Sequence, residues 1–167
     1  LCSQFAGAQQ PKVHRLGVLM IGDPTQPMLK GLRDGLKESG YIEGKNLVLE
    51  IPAKVTFDEL RPLAKSYKEK KLDVIVTIGG TATAIAKEAT REIPIVFISV
   101  NDPVQLGLVK LLARPDANAT GVALHADAEM QGKRLEILKE AAPTLRRLAV
   151  LYNARGENPN HARNLAF

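Results

Sequence analysis

The sequence predicts an α/β fold, a parallel β-sheet with helices on both faces. Two observations lead there. Short, near-continuous apolar runs rich in β-branched residues recur along the chain, as in LGVLMI, DVIVTI and IPIVFIS. That is the pattern of strands covered on both faces. Between these runs lie amphipathic or capped stretches of helical length, so strand–helix units repeat at roughly 20–35 residues, the spacing a parallel crossover needs.

The first strand is expected over residues 16–21, followed by a GDPTQP turn and a helix over 28–39. Leu29, Leu32 and Leu36 share one helix face, Pro27 suits the helix start, and Gly40 suits its C-terminal end. A second strand is expected over 47–51. Thr56 and Glu59 then have capping-box spacing, although Pro62 argues for a helix beginning nearer Asp58 and running to about Lys70. The third strand and its helix lie in DVIVTIGGTATAIAKEAT, residues 73–90. A fourth strand is expected over 93–99 with a helix over 104–112, and a fifth strand over 119–123. An amphipathic helix over 128–141 carries Met130, Leu135, Ile137 and Leu138, Pro143 stops it, and a sixth strand is expected over 147–152.

Right-handed crossovers put the loops that follow the strands on one edge of the sheet. Ligands of such sheets bind outside the carboxyl ends of the strands. The candidate surface is therefore residues 22–26, 79–83, 100–103 and 153–156. In the second of these, Gly79 and Gly80 permit positive φ and close approach, and Thr81 and Thr83 put hydroxyls beside the first N–H groups of a helix. Such an N-terminus suits a small carboxylate or phosphate, but a plain βα turn with an N-cap fits the same residues. Asp102, just before Pro103, fits either a ligand ammonium or hydroxyl or the cap of its own helix, and Asp23 before Pro24 carries the same two readings.

Other chemistries find little support. The first strand is followed by GDPTQP rather than GxGxxG, and no GxxxxGK[ST] occurs, so neither a dinucleotide nor an ATP phosphate loop is expected. His14, His125 and His161 lie far apart, and a single cysteine builds neither a disulfide nor a cysteine metal site. Ser99 sits in FISVND, which is not a nucleophile elbow. The net charge of +5 is spread along helix faces among acidic residues, and with no Trp and 4% aromatics the chain lacks base-stacking platforms for nucleic acid. No catalytic residue, cofactor or metal is expected. No stretch approaches the length of a membrane span.

The sequence starts at Leu1 and stops at Phe167, and it is expected to be a fragment of a longer polypeptide. Residues 1–12 read as the end of an export signal, with Ala6-Gly7-Ala8 as the small-x-small cleavage pattern and the mature chain starting near Gln9. Leu1 before Cys2 is not the small residue a lipid-anchoring site wants, so Cys2 is read as part of the signal.

Several blocks in order, LGVLMIGDPTQP, GLRDGLKESGYIEGKNLVLE, LDVIVTIGGTATAIAKEAT, IPIVFISVNDPVQLGLV, LARPDANATGV and GKRLEILKEAAPTLRRLAVLYN, resemble the periplasmic substrate-binding proteins of a bacterial ABC-transporter family that includes tryptophan and tyrosine binders. The likeness runs from Arg15 to Asn153. It implies a type I periplasmic-binding-protein fold, in which two Rossmann-like lobes close on a small ligand. Residues 13–124 would form the first lobe, and 125–167 the incomplete start of the second. Position by position, it implies ligand contacts at Asp23, Thr25, Gln26, Gly79, Gly80, Thr81, Ala82, Thr83, Asn101 and Asp102, with Asn153 from the second lobe. Where many members read GTPAA this chain reads GGTAT, so the family proline is absent, and residues 155–158 depart from the usual Asn-Pro start of the second-lobe loop. The implied function is an extracytoplasmic, periplasmic component of an ABC importer that binds an amino-acid-like solute, is not itself an enzyme, and partners a membrane permease. An extracytoplasmic sensory domain of the same fold, or a flavodoxin-like α/β enzyme, are the rival readings.

Overall fold

The computed structural model describes residues 12–23, 27–111, 118–124 and 128–149. Its elements run β1 (His14–Leu19), α1 (Pro27–Glu38), β2 (Leu47–Glu50), α2 (Leu60–Glu69), β3 (Val74–Ile78), α3 (Gly80–Ala89), β4 (Ile95–Asn101), β5 (Ala119–Leu124) and α4 (Ala128–Ala141). The five strands form one sheet in the order β2-β1-β3-β4-β5, and every pair is parallel. The predicted parallel α/β architecture is the one observed.

Strand alternation divides the core into two layers. Leu16 and Val18 from β1, Met20 just after it, Leu47 from β2 and Val76 from β3 meet Leu29 of α1 on one face. Leu19, Ile75, Ile95 and Phe97 point the other way, onto Leu60, Ala64 and Tyr67 of α2 and Ala82, Ile85 and Ala86 of α3. This is the period-two geometry of a strand buried on both sides. Gly17 is needed at its place because any Cβ there would run into Leu72 and Tyr67. The buried Tyr67 phenol contacts the carbonyls of Val18 at 2.7 Å and Glu50 at 3.2 Å, tying α2 to the far ends of β1 and β2. Burial, and then the charge of Glu50, push that phenol's pKa up. Glu50 in turn is held below the usual carboxylate range, first by its hydrogen bond from Lys70.

Several expected boundaries move for identifiable reasons. β1 begins earlier, at His14, which pairs with Leu47, and ends before the chain swings out so that Gly22 can exchange backbone hydrogen bonds with Val55. The Thr56–Glu59 pair forms, with Glu59 Oε2 accepting from the Thr56 N–H and hydroxyl at 2.7 Å each, but it shapes a turn ahead of α2 and does not cap the helix itself. With α2 starting at Leu60, Pro62 falls at the third helical position, where no N–H is needed. Gly40 ends α1 as expected, with φ 85° and Tyr41 N–H donating to Leu36 O at 2.8 Å.

The helix expected over 104–112 does not form over 104–111, the described part of that stretch. Residues 103–107 make turns, Gly107 takes φ 67°, and Leu108 and Val109 enter the core from this turn. Lys87 donates to the carbonyls of Gly107 and Leu108, groups that a helix would have used internally. The helix over 128–141 does form, with Leu135 half-buried and Ile137 and Leu138 exposed. Of the expected sixth strand, residues 147–149 have no regular structure and the remainder lies outside the described residues, as does the export-signal reading of residues 1–12 apart from Lys12.

Candidate functional site

β1 leads through α1 to β2 on one side, and the chain then crosses to place β3 on the other side of β1. The strand order therefore reverses between β1 and β3. In an open parallel sheet, the crevice at the carboxyl end of such a reversal is the default ligand site. Three segments border it here: Ile21, Gly22 and Asp23 after β1, the 79–83 turn after β3, and residues 99–103 at the end of β4.

The turn after β3 is built by its backbone. Gly79 sits at φ 90° and ψ 157°, a conformation essentially reserved for glycine, and its N–H donates to Ile98 O at 2.9 Å, fixing the turn to β4. Having no side chain, it offers no cap to α3. The N–H groups of Gly80, Thr81 and Ala82 thus lead the helix with no N-cap side chain satisfying them. Gly79 O accepts from Thr83 N at 3.2 Å and from Thr83 Oγ1 at 2.8 Å. Thr83 Oγ1 lies 2.8 Å from Thr77 Oγ1. Thr83 has one hydroxyl proton and gives it to a carbonyl, so Thr77 is the donor of the pair.

This chain of bonds assigns Thr83 a place that spacing alone did not show. Thr77 and Thr83 are fully buried. The Thr83 hydroxyl braces the turn from inside and does not stand beside the open N–H groups. Ala82 is also buried, while Thr81 is half-buried at the mouth of the helix.

The end of β4 is distorted. Its register with β5 shifts between Ile98 and Val100, and Ser99 takes φ 58°. Asp102 takes φ 40°, tolerable for a short polar side chain. Its Oδ1 accepts from Gln105 N–H at 2.9 Å, so Asp102 caps the single turn that replaces the expected helix. One carboxylate oxygen is committed to that turn, and the side chain is half-buried. Asn101 and Asp23 are exposed. The fold thus brings Asp23, Gly79, Gly80, Thr81, Asn101 and Asp102 to one edge of the sheet. Thr25, Gln26 and Asn153 lie outside the described residues.

Sequence reasoning set Ser99 aside because it matched no nucleophile motif. In the structure its hydroxyl reaches back to Met28 Sδ at 3.6 Å, at the start of α1. No sequence signal announces it, since nothing in FISVND marks a bulge. Among the described residues there is no group of three or more His, Cys, Asp or Glu able to hold a metal ion, and no helix is long and apolar enough to cross a membrane. His14 instead packs edge-to-face on Tyr41, with ring centroids 5.3 Å apart.

The sequence matches the family described as ABC transporter substrate binding protein over residues 16–165. The chain belongs to that family. It is 31% identical over 130 residues to a tyrosine-binding protein of Clostridioides difficile, covering 77% of this chain and 37% of that one. Among solved structures, a conserved domain protein from Vibrio cholerae matches with a TM-score of 0.75 at 33% identity, over 92% of this chain and 52% of the other. An ABC domain in complex with L-Trp from Streptococcus pneumonia matches with a TM-score of 0.72 at 26% identity, over 88% of this chain and 50% of that one. The family member described here shares their periplasmic-binding-protein-like fold, and it spans about half the length of those solved structures and 37% of the curated relative.

Proposed function

We propose that this chain is the first lobe, with the start of the second, of an extracytoplasmic solute-binding component of an ABC importer, and that it binds an amino acid. The observation that carries this is the row of N–H groups at Gly80, Thr81 and Ala82, uncapped at the β1/β3 reversal with Asp102 on the neighbouring strand end. Donors at a helix N-terminus favour a carboxylate. The Asp102 oxygen not used by Gln105 suits an ammonium. A carboxylate and an ammonium side by side describe the common part of an amino acid.

The relatives support this reading, one being a tyrosine-binding protein and one solved with L-Trp. Residues 13–124 form the first lobe and 125–167 open the second, from which Asn153 contributes, with Thr25 and Gln26 completing the loop after β1. The ligand lies between the lobes, a membrane permease receives it, and no bond is made or broken. Export through the signal at residues 1–12 places the protein in the periplasm.

Thermal-shift and calorimetric titration of the full-length protein with L-tyrosine, L-tryptophan and the other amino acids tests this. A ligand present at 100 times its Kd stabilises by roughly 2.7 kcal/mol. If no amino acid and no aromatic acid stabilises the protein, the assignment fails. Chemical conversion of a bound compound would also overturn it, in favour of an enzyme.

A further inference from the structure

The N–H row of α3 and the Asp102 carboxylate belong to different elements, so one small molecule meets both only if something sets their separation. The chain from Pro103 to Val109 is placed to do so. The Leu106 N–H donates to Asp102 O at 3.1 Å, and the N–H groups of Leu108 and Val109 donate to Pro103 O at 2.8 Å and 3.3 Å. Together with the Gln105 N–H on Asp102 Oδ1, these bonds join Asp102 and the turn behind it into one unit.

That unit is fastened to α3 at two places. At the helix start, Leu106 packs so closely on Gly80 that an added Cβ there would stand 3.0 Å from Leu106 Cδ1. About two helical turns further on, and on the same face, the half-buried Lys87 donates from its ammonium to the carbonyls of Gly107, at 3.3 Å, and of Leu108. Between the two fastenings, Leu108 and Val109 are buried in the same core as Ala82, Ile85 and Ala86. Gly107, at φ 67°, turns the chain so that these carbonyls meet Lys87 and not a helix of their own.

We propose that Lys87 is a positioning residue of the amino-acid site: by fastening this turn along α3 it sets the gap between the carboxylate donors and Asp102, and with it the preference for an amino acid over the same acid without its amine. This rests on the crevice being the amino-acid site. Lys87 acts through the turn and not by touching the ligand, since its ammonium is engaged by Gly107 and Leu108, about two turns from the N–H row. A charge-assisted hydrogen bond needs its heavy atoms within about 2.7–2.9 Å. A turn free to shift by a few tenths of an ångström therefore loosens its hold on the ammonium, while the carboxylate donors, which belong to α3 itself, stay where they are.

The test is calorimetric titration of the full-length protein with L-tryptophan and L-tyrosine and with their deaminated acids, indolepropionate and hydroxyphenylpropionate, which keep the carboxylate and the ring. The affinity ratio of each pair isolates the ammonium. It is measured for the wild type, Lys87→Met, Lys87→Arg and Leu106→Ala, with the ligand-free melting midpoint of each. Methionine keeps the apolar stem and removes the donor, and arginine returns donors to the two carbonyls. Lys87→Met is expected to lower the ratio about three- to tenfold by weakening the amino acid and not the deaminated acid. Lys87→Arg is expected to recover most of that loss, and Leu106→Ala, which loosens the other fastening, to move the ratio the same way as Lys87→Met. General loosening of the fold weakens both members of a pair alike, so a fallen midpoint does not imitate this result. A Lys87→Met ratio within about twofold of wild type overturns the inference and leaves the amino-acid site standing. A fall in the ratio that arginine does not recover overturns it too, because the two carbonyl bonds would not be its cause. If the wild type binds neither amino acid, or binds the deaminated acids equally well, the amino-acid reading fails and this one with it.

Discussion

Thr83→Val separates the two readings of the turn after β3. The substitution keeps the β-branched shape and removes one hydroxyl. That hydroxyl accepts from Thr77 and donates to Gly79 O, each at 2.8 Å, in a fully buried site. Gly79 O retains the Thr83 N–H at 3.2 Å, but the Thr77 hydroxyl loses the Thr83 oxygen to which it donates. Leaving a buried hydroxyl unpaired costs about 1–3 kcal/mol. Thr77→Val in the same background removes the orphan, and replacing both partners by apolar groups of the same shape can be nearly neutral. The double variant is therefore expected to recover most of the loss, with a coupling energy of about 1–2 kcal/mol in a double-mutant cycle. Urea unfolding of the four proteins measures this. In parallel, Thr81→Ala is expected to leave stability within about 0.5 kcal/mol of wild type and to lower affinity for the amino-acid ligand. The reasoning is refuted if Thr83→Val unfolds like the wild type and binds ligand less well, because the hydroxyl would then serve the ligand and not the turn.

Three further outcomes follow from neighbouring features. Gly79→Ala meets no steric obstacle, since nothing lies within 4 Å of the added Cβ, so its cost is the conformational one of φ 90°, about 1–3 kcal/mol by urea unfolding. Asp102→Asn keeps an acceptor for Gln105 N–H but loses the charge; it should leave the melting midpoint in place and weaken amino-acid binding by about 1–3 kcal/mol in calorimetry, whereas Asp102→Ala should lower both. Asp73 is held below the ordinary carboxylate range, first by Lys12 and then by the Arg15 N–H at 2.8 Å. A depressed folded pKa adds stability that is full above the unfolded value, about 3.9, and is lost as pH falls through the lower folded value. Asp73→Asn should therefore flatten that acid limb in melts recorded from pH 5 downwards, and an unchanged limb would remove Asp73 from the account.

Much of the fold was legible because strands buried on both faces leave an unambiguous mark. Val74, Ile75 and Val76 cannot all be hidden by a half-exposed strand, and a parallel sheet follows. Boundaries were less legible where a tertiary contact outweighs the local signal. The stretch after Pro103 has a cap and helix-forming residues. The chain gains more by folding at Gly107 and sending Leu108 and Val109 into the core. Thr83 shows the limit at the site itself. A threonine beside a helix start has the same spacing whether its hydroxyl faces solvent or Thr77, and only the sheet decides which. Ser99 was not legible at all, because a bulge arises from how β4 and β5 fit together, and neither strand encodes it alone.

The donors proposed to hold the ligand's carboxylate are backbone groups, which any residue supplies. What the sequence must provide is their presentation. Gly79 leaves the helix end uncapped and turns the chain through a conformation closed to other residues, and the Thr77–Thr83 relay fixes the carbonyl on which that turn closes. A side-chain cap at position 79 would satisfy the same N–H groups internally and compete with any carboxylate. The same region of β4 carries strain at Ser99 and Asp102, anchored by Val100 and Phe97, which are almost fully buried. An uncapped helix and a bent strand end both cost stability and both border the same crevice. Their juxtaposition is what a binding site requires and a stability-optimised turn would avoid. An Asn or Asp at position 79 meets the same conformational cost as Ala at φ 90° and ψ 157°, but adds an acceptor that would cap α3 and block the carboxylate together. Gly79→Asp should bind amino acids more weakly than Gly79→Ala at equal or greater thermal stability, and tighter binding by the aspartate variant would show that the N–H row is not where the carboxylate sits.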